Sequence, residues 1–329
     1  MTRMRHLKAA AVAGVIALAL TGCTKGEDSE KSSSSAPQAS GTGGTFVLIR
    51  HGLPSDSFWQ PVQKGFTESG KIYGAKTSFQ ATGNNPADEA KAIDQAVAQK
   101  VDGIAVTLAD AGAEGPAIKR AIAAGVPVIT INSGSGEFAS VGALTHVGQD
   151  EGIAGEGAGT KFKEAGAKKL LCVLHQQGNL GLEARCNGAK KTFGGEVKTQ
   201  YVPGTNDGPG TESALKATLQ TDSSIDAVLT LDPDISAFAK SAIAASGSKA
   251  KLATFDLSKD VLSSIKAGDI QFAVNQQPYL QGSLPVSILS QYKQSGLMPG
   301  GGKPVLTGPS FVDKENVDKI SACVAAGRC

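Results

Sequence analysis

Aromatic residues make up only 5% of the 329-residue chain, and there is a single tryptophan, Trp59. An excess of either charge is equally lacking: 32 Lys and Arg face 30 Asp and Glu, a net charge of +2. A chain so nearly balanced has no cationic surplus with which to release counterions from a nucleic acid. No apolar run reaches the roughly 18 residues of a membrane-spanning helix. The 41 glycines follow no period, which excludes a collagen-like triple helix. No His-x-x-x-His, His-Glu-x-x-His or Cys-x-x-Cys spacing occurs, so zinc chemistry is not expected. No Gly-x-Ser-x-Gly elbow is present, and no Gly-x-Gly-x-x-Gly follows a strand. Gly65–Ile72 (GFTESGKI) approaches a phosphate-binding loop, but Ile72 stands where magnesium needs a hydroxyl and a helical pattern precedes it. It reads as a helix end closed by glycine. Neither a metal nor a cofactor is expected.

What is present begins with an address. Arg3, Arg5 and Lys8 precede the short apolar run 9–20 (AAAVAGVIALAL), the pattern of an export signal. Leu20-Thr21-Gly22-Cys23 follows and resembles the lipobox of bacterial lipoproteins. That resemblance implies cleavage before Cys23, a lipid on its sulfur, and attachment to the outer face of the cell membrane. A diacylglyceryl group supplies the two buried chains that stable anchoring requires. Residues 24–44 hold no aliphatic side chain larger than Ala and read as a flexible tether.

Export places the remaining cysteines in an oxidising compartment. Cys323–Cys329 would close a small C-terminal loop, and Cys172–Cys186 would join a strand to the helix after it; buried free thiols are the alternative.

From Thr45 onward, Val/Ile/Leu/Ala-rich strands alternate with helices. Thr45–Arg50, Lys76–Gln80, 102–107, 126–131 and Lys169–Leu174 are among the predicted strands; Phe58–Tyr73, 116–124 and 184–193 are among the predicted helices. Continuous apolar strands between helices belong to doubly wound α/β sheets covered on both faces. About ten strands divide better into two sheets than one, with a break near Val147–Asp150. In open sheets of this kind ligands bind outside the carboxyl ends of the strands, and two such domains would enclose a ligand between them.

Polar and aromatic residues gather at those ends. Asp56, Phe58 and Trp59 follow the first strand, Thr107 and Asp110 the third, and Asn132 and Ser133 the fourth. Asp232 and Asp234, Asp256, and Gln276 and Gln277 follow later strands, and Arg185 opens a helix beyond Leu174. Flat rings suit the apolar face of a sugar, while carboxylates, amides and a guanidinium suit its hydroxyl edge. His51 and His175 end strands and are candidates for the same cleft; His146 reads as structural.

These residues carry a resemblance. Phe58-Trp59, Asn84-Asn85-Pro86-Ala87, Val101-Asp102-Gly103-Ile104, residues 124–131 (AGVPVITI), residues 227–232 (AVLTLD), Ala253-Thr254-Phe255-Asp256 and residues 275–278 (NQQP) come in the order found in type I periplasmic-binding proteins of the ribose and galactose branch. The resemblance covers Thr45 to about Val312. It implies two similar lobes, 45–148 with 277–306 and 149–276 with 307–329, joined by three hinge crossings. By matching motif positions, it implies ligand contacts from Asp56, Phe58, Trp59, Thr107, Asn132, Arg185, Asp232, Asp256 and Gln276, with Asn206 a weaker match. The ribose pattern has Asp-Arg where this chain has Asn132-Ser133, and Asn where it has Asp232. One Arg lost and one Asp gained predict a more acidic pocket, suited to another monosaccharide, a polyol or cyclitol, or a weakly cationic guest.

The function implied is a monomeric, lipid-anchored solute-binding protein that delivers a sugar or polyol to an ABC permease. A receptor domain reporting to a membrane partner would share fold and pocket. An exported glycosidase would use Asp232 and Asp256 as a carboxylate pair. A sugar-responsive repressor is excluded, since a signal peptide stands where its DNA-binding helices would be.

Overall fold

The computed structural model describes residues 43–329. The export signal, Cys23 and the expected tether up to residue 42 lie outside the described residues.

Period-two burial organises the first sheet. In β1 (Thr45–Arg50), Val47 and Ile49 face one apolar cluster while Phe46 and Leu48 face another. The remaining strands are β2 (Lys76–Ala81), β3 (Gly103–Thr107), β4 (Val128–Ile131), β5 (His146–Gly148) and β11 (Val305–Leu306), in the spatial order β11-β5-β4-β3-β1-β2 and all parallel. Helices α1 (Trp59–Tyr73) and α9 (Pro278–Ser295) cover one face; α2 (Pro86–Ala98) and α3 (Ala111–Ala123) cover the other. The second sheet repeats the plan. Its strands are β6 (Lys169–Leu174), β7 (Glu196–Tyr201), β8 (Ala227–Thr230), β9 (Lys251–Phe255), β10 (Ile270–Asn275) and β12 (Ser310–Asp313), ordered β12-β10-β9-β8-β6-β7 with only β12 antiparallel. Helices α4 (Glu151–Glu164) and α5 (Leu180–Phe193) cover one face; α6 (Gly208–Thr221), α7 (Pro233–Ser246), α8 (Lys259–Ala267) and α10 (Val317–Ala325) cover the other.

The chain passes between the two sheets three times among the described residues. It does so at Gln149–Asp150 before α4, at Gln276–Gln277 before α9, and between β11 and β12. Corresponding strands leave corresponding residues at the mouth. His51 follows β1 as His175 follows β6. Asn132 follows β4 and Asp256 follows β9, both in the left-handed region (φ 62° and 68°).

Boundaries moved where caps outweighed periodicity. Asp110 accepts from the Gly112 and Ala113 N–H groups at 2.9 and 3.0 Å, so α3 starts five residues before Pro116, which sits inside it. Asn179 caps α5 in the same way, so that helix starts four residues ahead of Ala184. The strand expected from Val126 begins at Val128, beyond Pro127, which has no N–H to donate. The near phosphate-loop segment lies within α1, which Gly74 ends in the left-handed conformation. Cys172 pairs with Cys186 and Cys323 with Cys329.

Candidate functional site

A cleft with about 530 Å³ of non-atom space, open solvent included, lies between the carboxyl ends of the two sheets, where ligands of open α/β sheets bind. It is lined by Asp56, Phe58, Trp59, Asn132, Arg185, Asp232, Asp256 and Gln276 of the sequence-derived set, together with His51, Ser133, His175, Gln176, Asn179 and Thr205.

The first-lobe wall is built by the turn after β1. Asp56 accepts the Leu53 N–H at 2.6 Å, which closes the turn and starts α1. Gly52 is required there: its φ is +80°, and a Cβ would lie 2.8 Å from the Trp59 Nε1. Trp59 meets Phe58 edge-on at 4.9 Å and His51 edge-on at 5.1 Å, and the buried Arg50 guanidinium lies 5.0 Å from its ring centre. Arg50 also donates to the His51 and Leu53 carbonyls, both at 3.0 Å, so the aromatic wall rests on a fixed cation.

The second-lobe wall is polar. Arg185 and Glu151, both 3% exposed, form a two-pronged pair at 2.6 and 3.0 Å. Arg185 donates a further bond to the Leu231 carbonyl at 3.1 Å and lies 4.0 Å from Asp256. Asp232 caps α7 with one oxygen, accepting the Asp234 and Ile235 N–H groups at 2.8 and 3.2 Å. Gln276 donates to both Asp256 oxygens and accepts from Asn132 at 3.1 Å.

The lobes touch at the rim. Thr205 donates to Asp56 at 3.0 Å, the Ser57 hydroxyl donates to Asp234 at 3.0 Å, and the Leu180 N–H donates to the Ala109 carbonyl at 3.0 Å.

Two members of the expected set fall elsewhere. Thr107 is fully buried below the cavity: its hydroxyl donates to Glu89 and accepts the His51 N–H at 3.0 Å, so both bonding directions are spent inside the first lobe. Asn206 is exposed; the tight 3₁₀ turn Gly204–Asp207 points its neighbour Thr205 inward instead. Asn179 and Gln176 went unnoticed in the sequence, although an Asn five residues ahead of the predicted helix is a recognisable start signal. Glu151 was also missed; its helix was expected, but nothing in the sequence pairs it with Arg185.

Burial holds two of the acids of the cavity toward their protonated forms. Burial, then the neighbouring Asp234, push the Asp232 carboxyl up to about 8. Burial pushes Asp256 up to about 7, with Arg185 and Gln276 pulling it back. Burial pulls His51 and His175 down to about 3, leaving both rings neutral, and the Nδ1 atoms of both are buried without a protein partner. With Arg185 paired to Glu151, the site is rich in both donors and acceptors. That suits a polyhydroxyl ring. No cluster of His, Cys, Asp and Glu among the described residues could hold a metal ion.

A family model described as the periplasmic binding protein domain matches residues 46–296. The ribose import binding protein RbsB of Bacillus subtilis (strain 168) is 28% identical over 256 residues, 70% of this chain and 75% of that relative. The crystal structure of a carbohydrate transporter from Acidothermus cellulolyticus 11B, in complex with myo-inositol, is 41% identical with a TM-score of 0.85, covering 87% of this chain and 100% of that one. An ABC transporter solute-binding protein from Burkholderia graminis C4D1M, in complex with D-arabinose, shares the fold with a TM-score of 0.74 at 23% identity, covering 84% of this chain and 97% of that one. These matched proteins are binding and transport proteins, not enzymes.

Proposed function

Because the chain belongs to the periplasmic binding protein family, we propose that it captures an uncharged sugar or polyol, a cyclitol foremost, and delivers it to an ABC import permease. The observation that carries this reading is the composition of the cavity. Phe58 and Trp59 of the first lobe offer apolar ring faces, while Arg185, Asp232 and Asp256 of the second offer hydroxyl partners. The relative solved with myo-inositol supports the cyclitol preference. The lobes, 45–148 with 277–306 and 149–276 with 307–329, close on the guest by bending at the three crossings, because only the closed arrangement lets both walls touch it at once. The export signal and the lipid on Cys23 hold the protein, as a monomer, at the outer face of the membrane, beside its permease.

The test is thermal unfolding in the presence of myo-inositol, ribose, D-arabinose and a cationic amino sugar. A ligand at a hundredfold excess over its dissociation constant stabilises by about 2.7 kcal/mol. A clear upward shift with myo-inositol or one of the neutral sugars, and none with the amino sugar, is expected. Stabilisation by the amino sugar alone, or by no polyol at all, overturns the proposal.

A further inference from the structure

Glu151 does not line the cavity, yet it is almost wholly buried and faces the one fixed cation that does. It stands in the first turn of α4, directly after the first crossing, where the helix N-terminus favours a carboxylate. Its two oxygens take the Arg185 Nε at 2.6 Å and Nη2 at 3.0 Å, and Gln149, fully buried within the crossing, donates to it at 2.8 Å. The meeting of the two helices is fixed by backbone. A Cβ on Gly155 would lie 2.1 Å from the Arg185 carbonyl oxygen, and one on Gly188 2.2 Å from that of Gly152. No side chain larger than hydrogen fits at either position, so the distance between Glu151 and Arg185 is set by the helix contact.

A guanidinium has five N–H donors in a rigid fork. Glu151 takes two and the Leu231 carbonyl a third, which leaves two for a guest. Stability does not account for the pair, since a buried ion pair holds a fold no better than apolar residues of the same volume. Without Glu151, the nearest anion is Asp256, 4.0 Å from Nη1.

We propose that Glu151 is a positioning residue for the ligand: it fixes the rotation of the Arg185 guanidinium, ties that rotation to the first crossing through Gln149, and keeps the arginine from collapsing onto Asp256. The proposal rests on the sugar-binding reading above and deepens it.

The test is calorimetric titration of myo-inositol, or of whichever of ribose and D-arabinose binds the wild-type protein more strongly, into the wild type, Glu151→Gln, Arg185→Met and the double variant. Glu151→Gln should weaken binding about 10- to 100-fold, the worth of a charged hydrogen bond misdirected. The double variant should bind like Arg185→Met within about twofold, because Glu151 acts only through that arginine. The pH at which affinity changes should move downward in Glu151→Gln, since the Glu151 charge helps to hold the Asp256 carboxyl up. Affinity of Glu151→Gln within twofold of wild type, or losses that multiply in the double variant, overturns the proposal. Should Glu151→Gln not fold, Glu151→Asp, a carboxylate one methylene shorter, is expected to fold and bind at least about tenfold more weakly; wild-type affinity there overturns it equally. A wild-type protein silent toward all three probes sinks the sugar-binding reading and this proposal with it.

Discussion

Gln276 turns its amide nitrogen to both carboxylate oxygens of Asp256, at 2.9 and 3.0 Å, while its amide oxygen takes a hydrogen bond from Asn132 at 3.1 Å. One residue in the second crossing therefore joins the acid of one lobe to the amide of the other. Gln276→Glu removes the donor and sets a second carboxyl beside a buried one. Leaving such groups unpaired costs about 1–3 kcal/mol. Polyol affinity should fall by roughly tenfold or more, with a lowered melting temperature; unchanged binding by calorimetry would show that the bridge is idle.

Asp232→Asn keeps the oxygen that caps α7, since Asn caps helices as well as Asp does. It removes a carboxyl whose folded-state value is raised to about 8. A raised carboxyl costs the fold increasingly as pH climbs from its unfolded value near 4 toward 8. The stability advantage of the Asn variant should grow from pH 5 to pH 8 and then level off. Urea midpoints that run parallel for the two proteins across that range would refute it.

The pH dependence of the unsubstituted protein follows from opposing groups. Asp232 and Asp256 are raised to about 8 and about 7, and burial also raises Glu89 and Glu114, the latter further because Glu89 lies beside it. The folded chain keeps their protons where the unfolded chain has lost them, so each destabilises with rising pH. His51, His146 and His175 are lowered to about 3, so each destabilises as pH falls below about 6.5. Between pH 4 and 6.5 the two sets oppose one another; above 6.5 the acids act alone. Scanning calorimetry should show the melting temperature dropping from pH 6.5 to pH 9. A flat or rising trace would mean that the buried acids are already ionised.

The two disulfides differ in span, with sequence separations of 14 and 6. By loop-closure entropy, opening Cys172–Cys186 should cost about 3 kcal/mol and opening Cys323–Cys329 about 2. Replacing each pair by alanines and comparing urea midpoints gives the order; equal losses, or a larger one at the C-terminus, would contradict it.

Trp59 is the only tryptophan and lines the cavity. Under the proposed polyol-binding function, a saturating ligand should therefore change its emission, and Trp59→Phe should abolish the signal. An emission spectrum indifferent to a ligand that calorimetry shows to be bound would place that ligand elsewhere.

Much of the fold was legible because its strands are covered on both faces and so carry continuous apolar runs: Lys169–Leu174 and Lys251–Phe255 stand where periodicity placed them. The short edge strands β11 and β12 carry no such run. Within the site, residues directly after strands were readable because chain position alone brings them to the mouth. Thr107, the last residue of β3, stops one position short of that mouth, and its hydroxyl is spent on Glu89 and His51. The Glu151–Arg185 pair joins residues 34 apart, and its cause, two helices in backbone contact at Gly155 and Gly188, is a tertiary fact. The raised carboxyls of Asp232 and Asp256 were out of reach for the same reason: counting acids does not register their burial.

The matched windings of the two sheets make the cavity comparable to the interface of a two-fold dimer whose subunits share one polypeptide. Its contributions come in twins, His51 with His175 and Asn132 with Asp256. The first twins are chemically alike; the second pair an amide with an acid. With the aromatic wall of one lobe set against the polar wall of the other, these mismatches give the pocket a handed end, against which one orientation of a near-symmetrical guest would be preferred to its reverse.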